Sequence, residues 1–157
     1  MQLTDFDYDF FVIGGGSGGV RASRIAAGLG AKVGLAEERY LGGTCVNVGC
    51  IPKKLFSYAS HYAQDFEDAR GYGWELPGTP RFHWPTLRDN KDREIQRLNA
   101  VYLGMLERAS VVVHQQRAVL LDKHSIALGD RTITAKEILV ATGGWPTIPD
   151  IEGKEHS

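Results

Sequence analysis

The chain has 157 residues, 43% of them hydrophobic and 24% charged, with a formal net charge of −1. That is enough chain to bury one domain-sized core, and the near-neutral balance leaves no basic field to recruit nucleic acid or an anionic membrane. No apolar run approaches bilayer-spanning length, and the opening MQLTDFDYDF is acidic, without the basic start of a secretory signal, so a cytoplasmic protein with neither nucleic-acid nor membrane partner is expected.

The first predicted element is a strand. Phe10-Phe11-Val12-Ile13 is aromatic and β-branched, stops at glycine, and reads as buried on both faces. GGGSGG follows at 14–19. VRASRIAAGLGAK, 20–32, then reads as a helix with Val20, Ile25 or the stem of Arg24, Ala27 and Leu29 on its packed side, and KVGLA, 32–36, as the next strand, with Glu37 directly after it. Strand, glycine turn, helix, strand and acid within about thirty residues is the order of a dinucleotide-binding unit. Gly14 would allow the tight turn, Gly16 the approach of a pyrophosphate to the backbone, and Gly19 the close packing of helix on sheet. The helix N-terminus would offer N–H groups and a partial positive charge to phosphates. Glu37, 21 positions after Gly16, stands where a carboxylate accepts from ribose hydroxyls.

Residues 42–54, GGTCVNVGCIPKK, hold both cysteines of the chain, Cys45 and Cys50. Two cysteines make at most half a zinc site, and no histidine stands beside them at ligand spacing, so no metal is expected. The spacing is not that of a CxxC motif either. An inert pair and a redox pair remain. The redox reading is favoured by the preceding nucleotide-binding unit and by glycine-rich backbone that admits a flat cofactor. A helix start near the cysteines, with Lys53 and Lys54, would also favour thiolate over thiol.

Beyond the cysteines, 55–70 continues a helix and 71–80, GYGWELPGTP, reads as a surface loop. A second helix is predicted from Trp84 to Ala109, with Leu87, Ile95, Leu98, Val101, Tyr102, Met105 and Leu106 mostly three and four residues apart. Residues 110–117 are β-rich, 122–134 read as short strands around turns at 122–123 and 129–130, and 137–141, EILVA, as another buried strand ending in Thr142-Gly143-Gly144. There is no internal repeat and no low-complexity segment. The five histidines read as surface or packing residues.

Three of these stretches resemble one family. GGTCVNVGCIPKK resembles the redox-active disulfide signature of the flavin-dependent pyridine nucleotide–disulfide oxidoreductases, GGGSGG with Glu37 their first FAD fingerprint, and ATGGWPTIP, 141–149, their second flavin motif. Lys53 and the LNAVY stretch, 98–102, point to the glutathione reductase branch, with high-molecular-weight thioredoxin reductases and trypanothione reductase as alternatives. A stand-alone flavin-binding or thiol-redox module without turnover is a further alternative.

The resemblance implies an α/β, Rossmann-like FAD-binding domain: a parallel sheet flanked by helices with a small antiparallel β-meander. Residues 1–157 would be its incomplete N-terminal part, with the NADPH-binding and dimerisation domains absent. It implies FAD as cofactor, NADPH as hydride source, glutathione disulfide as substrate and a homodimer for the longer enzyme. Ser17 and Gly18 would contact the FAD pyrophosphate, Glu37 the adenosine ribose, and Ala118 the adenine through its backbone. Thr44 and Cys45 would lie along the flavin, Lys53 near its N5, and Thr142 and Gly143 over the cofactor. Cys45 would be the interchange thiol and Cys50 the thiolate against the flavin ring. Tyr102 would line the substrate pocket or serve as a core aromatic. Ile25 stands where some members carry a glutathione-binding arginine, and Arg21 and Arg24 are the nearby candidates to replace it.

Overall fold

The computed structural model describes residues 6–156; residues 1–5 of the acidic N-terminal stretch and residue 157 lie outside it. In chain order, β1 (Tyr8–Ile13) turns through glycines into α1 (Ser17–Gly28) and β2 (Val33–Ala36). Then come α2 (Gly43–Asn47), α3 (Cys50–Asp68), α4 (Trp84–Arg108), β3 (Val112–His114), β4 (Ala118–Leu120), β5 (Ser125–Leu128) and β6 (Arg131–Val140). The strands described form one sheet in the order β3-β2-β1-β6-β5-β4. β1, β2, β3 and the second half of β6 run parallel, while β4, β5 and the first half of β6 form the antiparallel meander. This is the mixed α/β, Rossmann-like architecture expected from the glycine-turn unit.

β1 is the centre of the sheet. Val12 pairs with Leu35 on one side and Leu139 on the other. Alternation along the strand sends Val12 to one face and Phe11 and Ile13 to the other. On the first face Val12, Val33 and Leu35 pack with Val20 of α1, Leu41, and Leu106 of α4. On the second, Phe11, Ile13 and Ala36 pack with Ile126, Leu128, Ile133 and Ala135 of the meander. Both faces being covered explains why residues 10–13 of β1 are continuously apolar rather than alternating.

Three expectations are corrected. Helix α1 begins at Ser17, inside the glycine run, and its buried residues are Gly19, Val20 and Ser23. Ile25 and Leu29, expected to pack, are 52% and 84% exposed. The close approach at Gly19 fixes which side of the helix meets the sheet; Ile25 falls on the opposite side, and Leu29 follows the last turn. Secondly, residues 131–140 form one ten-residue strand rather than separate pieces. Thirdly, its upper half is not buried: Val140 is 57% exposed. Beyond Thr134 the pairing with β5 stops, so β6 keeps a described neighbour on the β1 side alone. No described helix is long and apolar enough to cross a membrane.

Candidate active site

A cleft of about 630 Å³ opens at the C-terminal ends of the parallel strands, the end at which open α/β sheets bind ligands. Its walls are the first turn of α1, the residues following β2, the cysteine segment, the entry to β4, and 141–145 after β6.

The glycine turn shapes one end. Gly14 has φ +111°, and a Cβ there would lie 2.4 Å from Ala141 O. At Gly19 a Cβ would lie 1.8 Å from Gly14 O, so only glycine lets α1 sit this close to β1. The N-cap, Gly16, offers no side-chain cap to the first turn, which leaves its N–H groups for an anion in the cleft. A Cβ on Gly18 would meet no atom within 4 Å, so the backbone there borders open space that a phosphate can enter.

Glu37 organises the opposite wall. Its Oε2 accepts from Gly15 N–H at 2.7 Å and its Oε1 from Arg39 N–H at 2.8 Å. The carboxylate thus ties the glycine loop to the end of β2, and each oxygen keeps a lone pair for a ribose hydroxyl. At the rim Arg39 stacks over Trp145 at 4.3 Å, and Arg117 pairs with Glu38 at 3.1 Å. The volume lies within the range of cofactor sites. With the uncapped helix end and the carboxylate in one cleft, the residues present suit a dinucleotide.

The cysteine segment forms the floor between these features. Cys45 lies on the five-residue α2 and Cys50 is the first residue of the nineteen-residue α3. Both are free thiols, and both line the cleft. The segment rests on the glycine loop: Gly42 N–H donates to Gly15 O at 2.8 Å, and a Cβ on Gly43 would lie 2.7 Å from Gly16 Cα. The Cys45 thiol is pushed up from its ordinary value, first by its hydrogen bond with Cys50, then by burial and by the charge on Cys50. At Cys45 this runs against the expected preference for thiolate, because its hydrogen bond with the neighbouring sulfur favours the protonated form. Lys53 and Lys54 are exposed on the first turn of α3, and Lys54 lies over the Tyr58 ring at 4.8 Å.

Gly14, Gly16, Ser17, Gly18, Glu37, Thr44, Cys45, Cys50, Ala118, Thr142 and Gly143 all line the cleft. Gly19 is buried on the face of α1 that meets β1. Lys53, Arg21 and Arg24 are exposed and outside the cleft wall, Arg21 and Arg24 on α1. Tyr102 packs half-buried against the cluster of Val12, Leu35 and Leu106. Sequence reasoning missed the stacking of Arg39 on Trp145 and the amides of Asn47 and Asn99 behind the cysteines. Asn47 lies inside GGTCVNVGCIPKK and Asn99 inside LNAVY, so their position in the two stretches already singled out was the available signal. Among the described residues no group of His, Cys, Asp and Glu could hold a metal ion.

Known proteins resemble the chain over most of its length. Residues 8–157 match the family model described as "Pyridine nucleotide-disulphide oxidoreductase". Over 151 residues the chain is 48% identical to a glutathione reductase of Nostoc sp. (strain PCC 7120) and 49% identical to one of Burkholderia cepacia. Each alignment covers 96% of this chain and 33% of the relative. A thioredoxin reductase of Emiliania huxleyi is 40% identical over 170 residues, covering 99% of this chain and 34% of the relative. The chain thus spans about a third of the length of the curated relatives it matches.

Proposed function

Because the chain belongs to the pyridine nucleotide–disulphide oxidoreductase family, we propose that it is the FAD-binding, dithiol-bearing part of an enzyme that reduces glutathione disulfide with NADPH. The observation that carries the reading is the single cleft shared by the glycine loop, Glu37 and both cysteines. The names of two relatives, both glutathione reductases, support the choice of substrate. The cytoplasmic setting and homodimeric state belong to the same proposal for the longer enzyme.

The roles proposed are those the resemblance implies, and the shared cleft supports them. The first turn of α1, with Ser17 and Gly18, would bind the pyrophosphate, Glu37 the ribose, and Ala118 the adenine end. Thr44, Thr142 and Gly143 would border the flavin. A flavin held there would supply the two-electron chemistry that links a nicotinamide hydride to a disulfide. Cys45 as thiolate attacks one sulfur of glutathione disulfide, breaking its S–S bond and releasing one glutathione. Cys50 then attacks the Cys45 sulfur of the mixed disulfide, releasing the second glutathione and closing the Cys45–Cys50 bond. One dithiol and one disulfide become one disulfide and two thiols, and two electrons with two protons restore the pair from the Cys50 side. Tyr102, Arg21 and Arg24 remain candidates for contact with the substrate, and Lys53 for tuning the flavin.

The test is an absorbance spectrum of the chain after incubation with FAD, before and after two-electron reduction. Bound flavin with a new long-wavelength thiolate-to-flavin band is expected; failure to bind any flavin counts against the assignment. Mixing the reduced chain with glutathione disulfide should release two glutathione thiols per chain. Cys45→Ser should release none, and Cys50→Ser should stop at one with a glutathione adduct left on Cys45. A second reading, reduction of a protein disulfide, is favoured by the 40% identity to a thioredoxin reductase; oxidation of the dithiol by oxidised thioredoxin but not by glutathione disulfide would select it.

A further inference from the structure

The Asn99 side chain hydrogen-bonds helix α4 to the cysteine segment. Asn99 Nδ2 donates to Leu41 O at 2.8 Å and to Asn47 Oδ1 at 2.9 Å. Asn47 Nδ2 in turn donates to Leu41 O at 3.0 Å and to Gly43 O at 2.9 Å. Both hydrogens of both amides are engaged, and every acceptor lies between Leu41 and Asn47, the run that carries Cys45. That stretch needs outside support. α2 has five residues, too few to hold a helix by its own backbone bonds. Asn47 is its last residue, and only Val48 and Gly49 separate it from Cys50. α4 is by contrast anchored: Leu106 is fully buried, and Tyr102 and Leu103 pack against the cluster that contains Leu41. Neither Asn99 nor Asn47 lines the cleft.

We propose that Asn99 is a positioning residue for the dithiol: through Asn47 and Leu41 it fixes α2 on α4 and so holds Cys45 within bonding reach of Cys50. This rests on the redox reading of the two cysteines. A disulfide demands a narrow range of Cβ separation and torsion, whereas two thiols do not. A clamp that restricts α2 therefore raises the effective concentration of one thiol at the other and favours the closed bond. Releasing it shifts the equilibrium toward the dithiol.

The experiment equilibrates the reduced chain with mixtures of glutathione disulfide and glutathione, quenches, and counts free cysteines. In each turnover two protein thiols lose two electrons and two protons, and one glutathione disulfide becomes two glutathione thiols. Asn99→Ala, and Asn99→Asp, which sets an acceptor against Leu41 O and Asn47 Oδ1, should each lower the oxidation equilibrium constant roughly threefold to tenfold. That is about 14 to 30 mV for a two-electron couple. Met105→Ala, further along α4, removes a half-buried side chain outside both the amide contacts and the packing cluster and should stay within twofold of the parent. Should Asn99→Ala fail to fold, Asn99→Ser, which keeps one donor, carries the comparison with a smaller shift in the same direction. The inference is overturned if the folded Asn99 variants stay within twofold of the parent, or if Met105→Ala shifts the constant as far as they do. A parent chain that forms no Cys45–Cys50 disulfide at any glutathione ratio overturns the redox reading itself, and this inference with it.

Discussion

Gly18 and Gly19 are neighbours on the first turn of α1 with opposite surroundings. A Cβ at Gly19 would meet Gly14 O at 1.8 Å, while one at Gly18 meets nothing within 4 Å. Gly19→Ala should therefore cost about 3 kcal/mol or more through overpacking against backbone that cannot yield. Gly18→Ala should keep or raise stability by roughly 0.5–1 kcal/mol through helix propensity, yet weaken dinucleotide binding by filling the phosphate approach. Urea midpoints together with a flavin titration separate the two. Glu37 makes a related case. Glu37→Gln replaces one carboxylate oxygen with a donor, so one of the two backbone N–H groups it holds loses its acceptor. The expected loss is about 1–3 kcal/mol, measured by urea denaturation without ligand. The glycine and carboxylate positions were legible in the sequence because the turn, the helix start and the acid lie within one short stretch. Asn99 and Asn47 stand 52 positions apart, and no local pattern announces a contact at that separation.

Among the elements, β1, β3 and β6 are joined across the sheet by side chains as well as backbone. Arg131 Nη2 lies 2.9 Å from His114 Nδ1, and His114 Nε2 lies 2.9 Å from the Tyr8 hydroxyl. A guanidinium can only donate, so Nδ1 accepts and Nε2 carries the hydrogen toward Tyr8. Burial, and then the charge of Arg131, hold the His114 ring below its ordinary value. The unfolded chain takes up that proton near pH 6.5. Between there and the lower folded value the unfolded state binds more protons, so this contribution to stability is full above about pH 6.5 and is lost as pH falls through the folded value. Urea midpoints taken from pH 7.5 down to 5.5 should fall, and His114→Gln should flatten that part of the profile. The helices and parallel strands were readable from periodicity, but their details answered to neighbours. The packed side of α1 was set by contact at Gly19 rather than by Ile25 and Leu29. α2 was invisible because five residues carry no periodic signal. The single run of β6 was hidden by polar residues in its antiparallel half, where Arg131 and Thr132 are exposed.

At the scale of the molecule, the cleft links segments far apart in sequence, from Gly14 to Trp145. A ligand that fills it should stabilise the whole chain. At a hundredfold excess over the dissociation constant the gain is about 2.7 kcal/mol, which for a domain of this size is roughly 5–10 °C in thermal midpoint. On the proposed reading FAD gives that shift, and FMN, which leaves the Glu37 and Ala118 end empty, gives less; a thermal scan with each ligand checks it. The contact of Gly42 and Gly43 with Gly15 and Gly16 has a consequence for transplanting this chemistry. Because main chain rests on main chain there, the distance from the glycine loop to the sulfurs is written into the backbone and is indifferent to the side chains of the surrounding surface. A cysteine segment grafted onto another nucleotide-binding scaffold would keep its reach only if the glycine at position 43 were carried over, since a Cβ there would lie 2.7 Å from Gly16 Cα, so the two motifs travel as one transferable part.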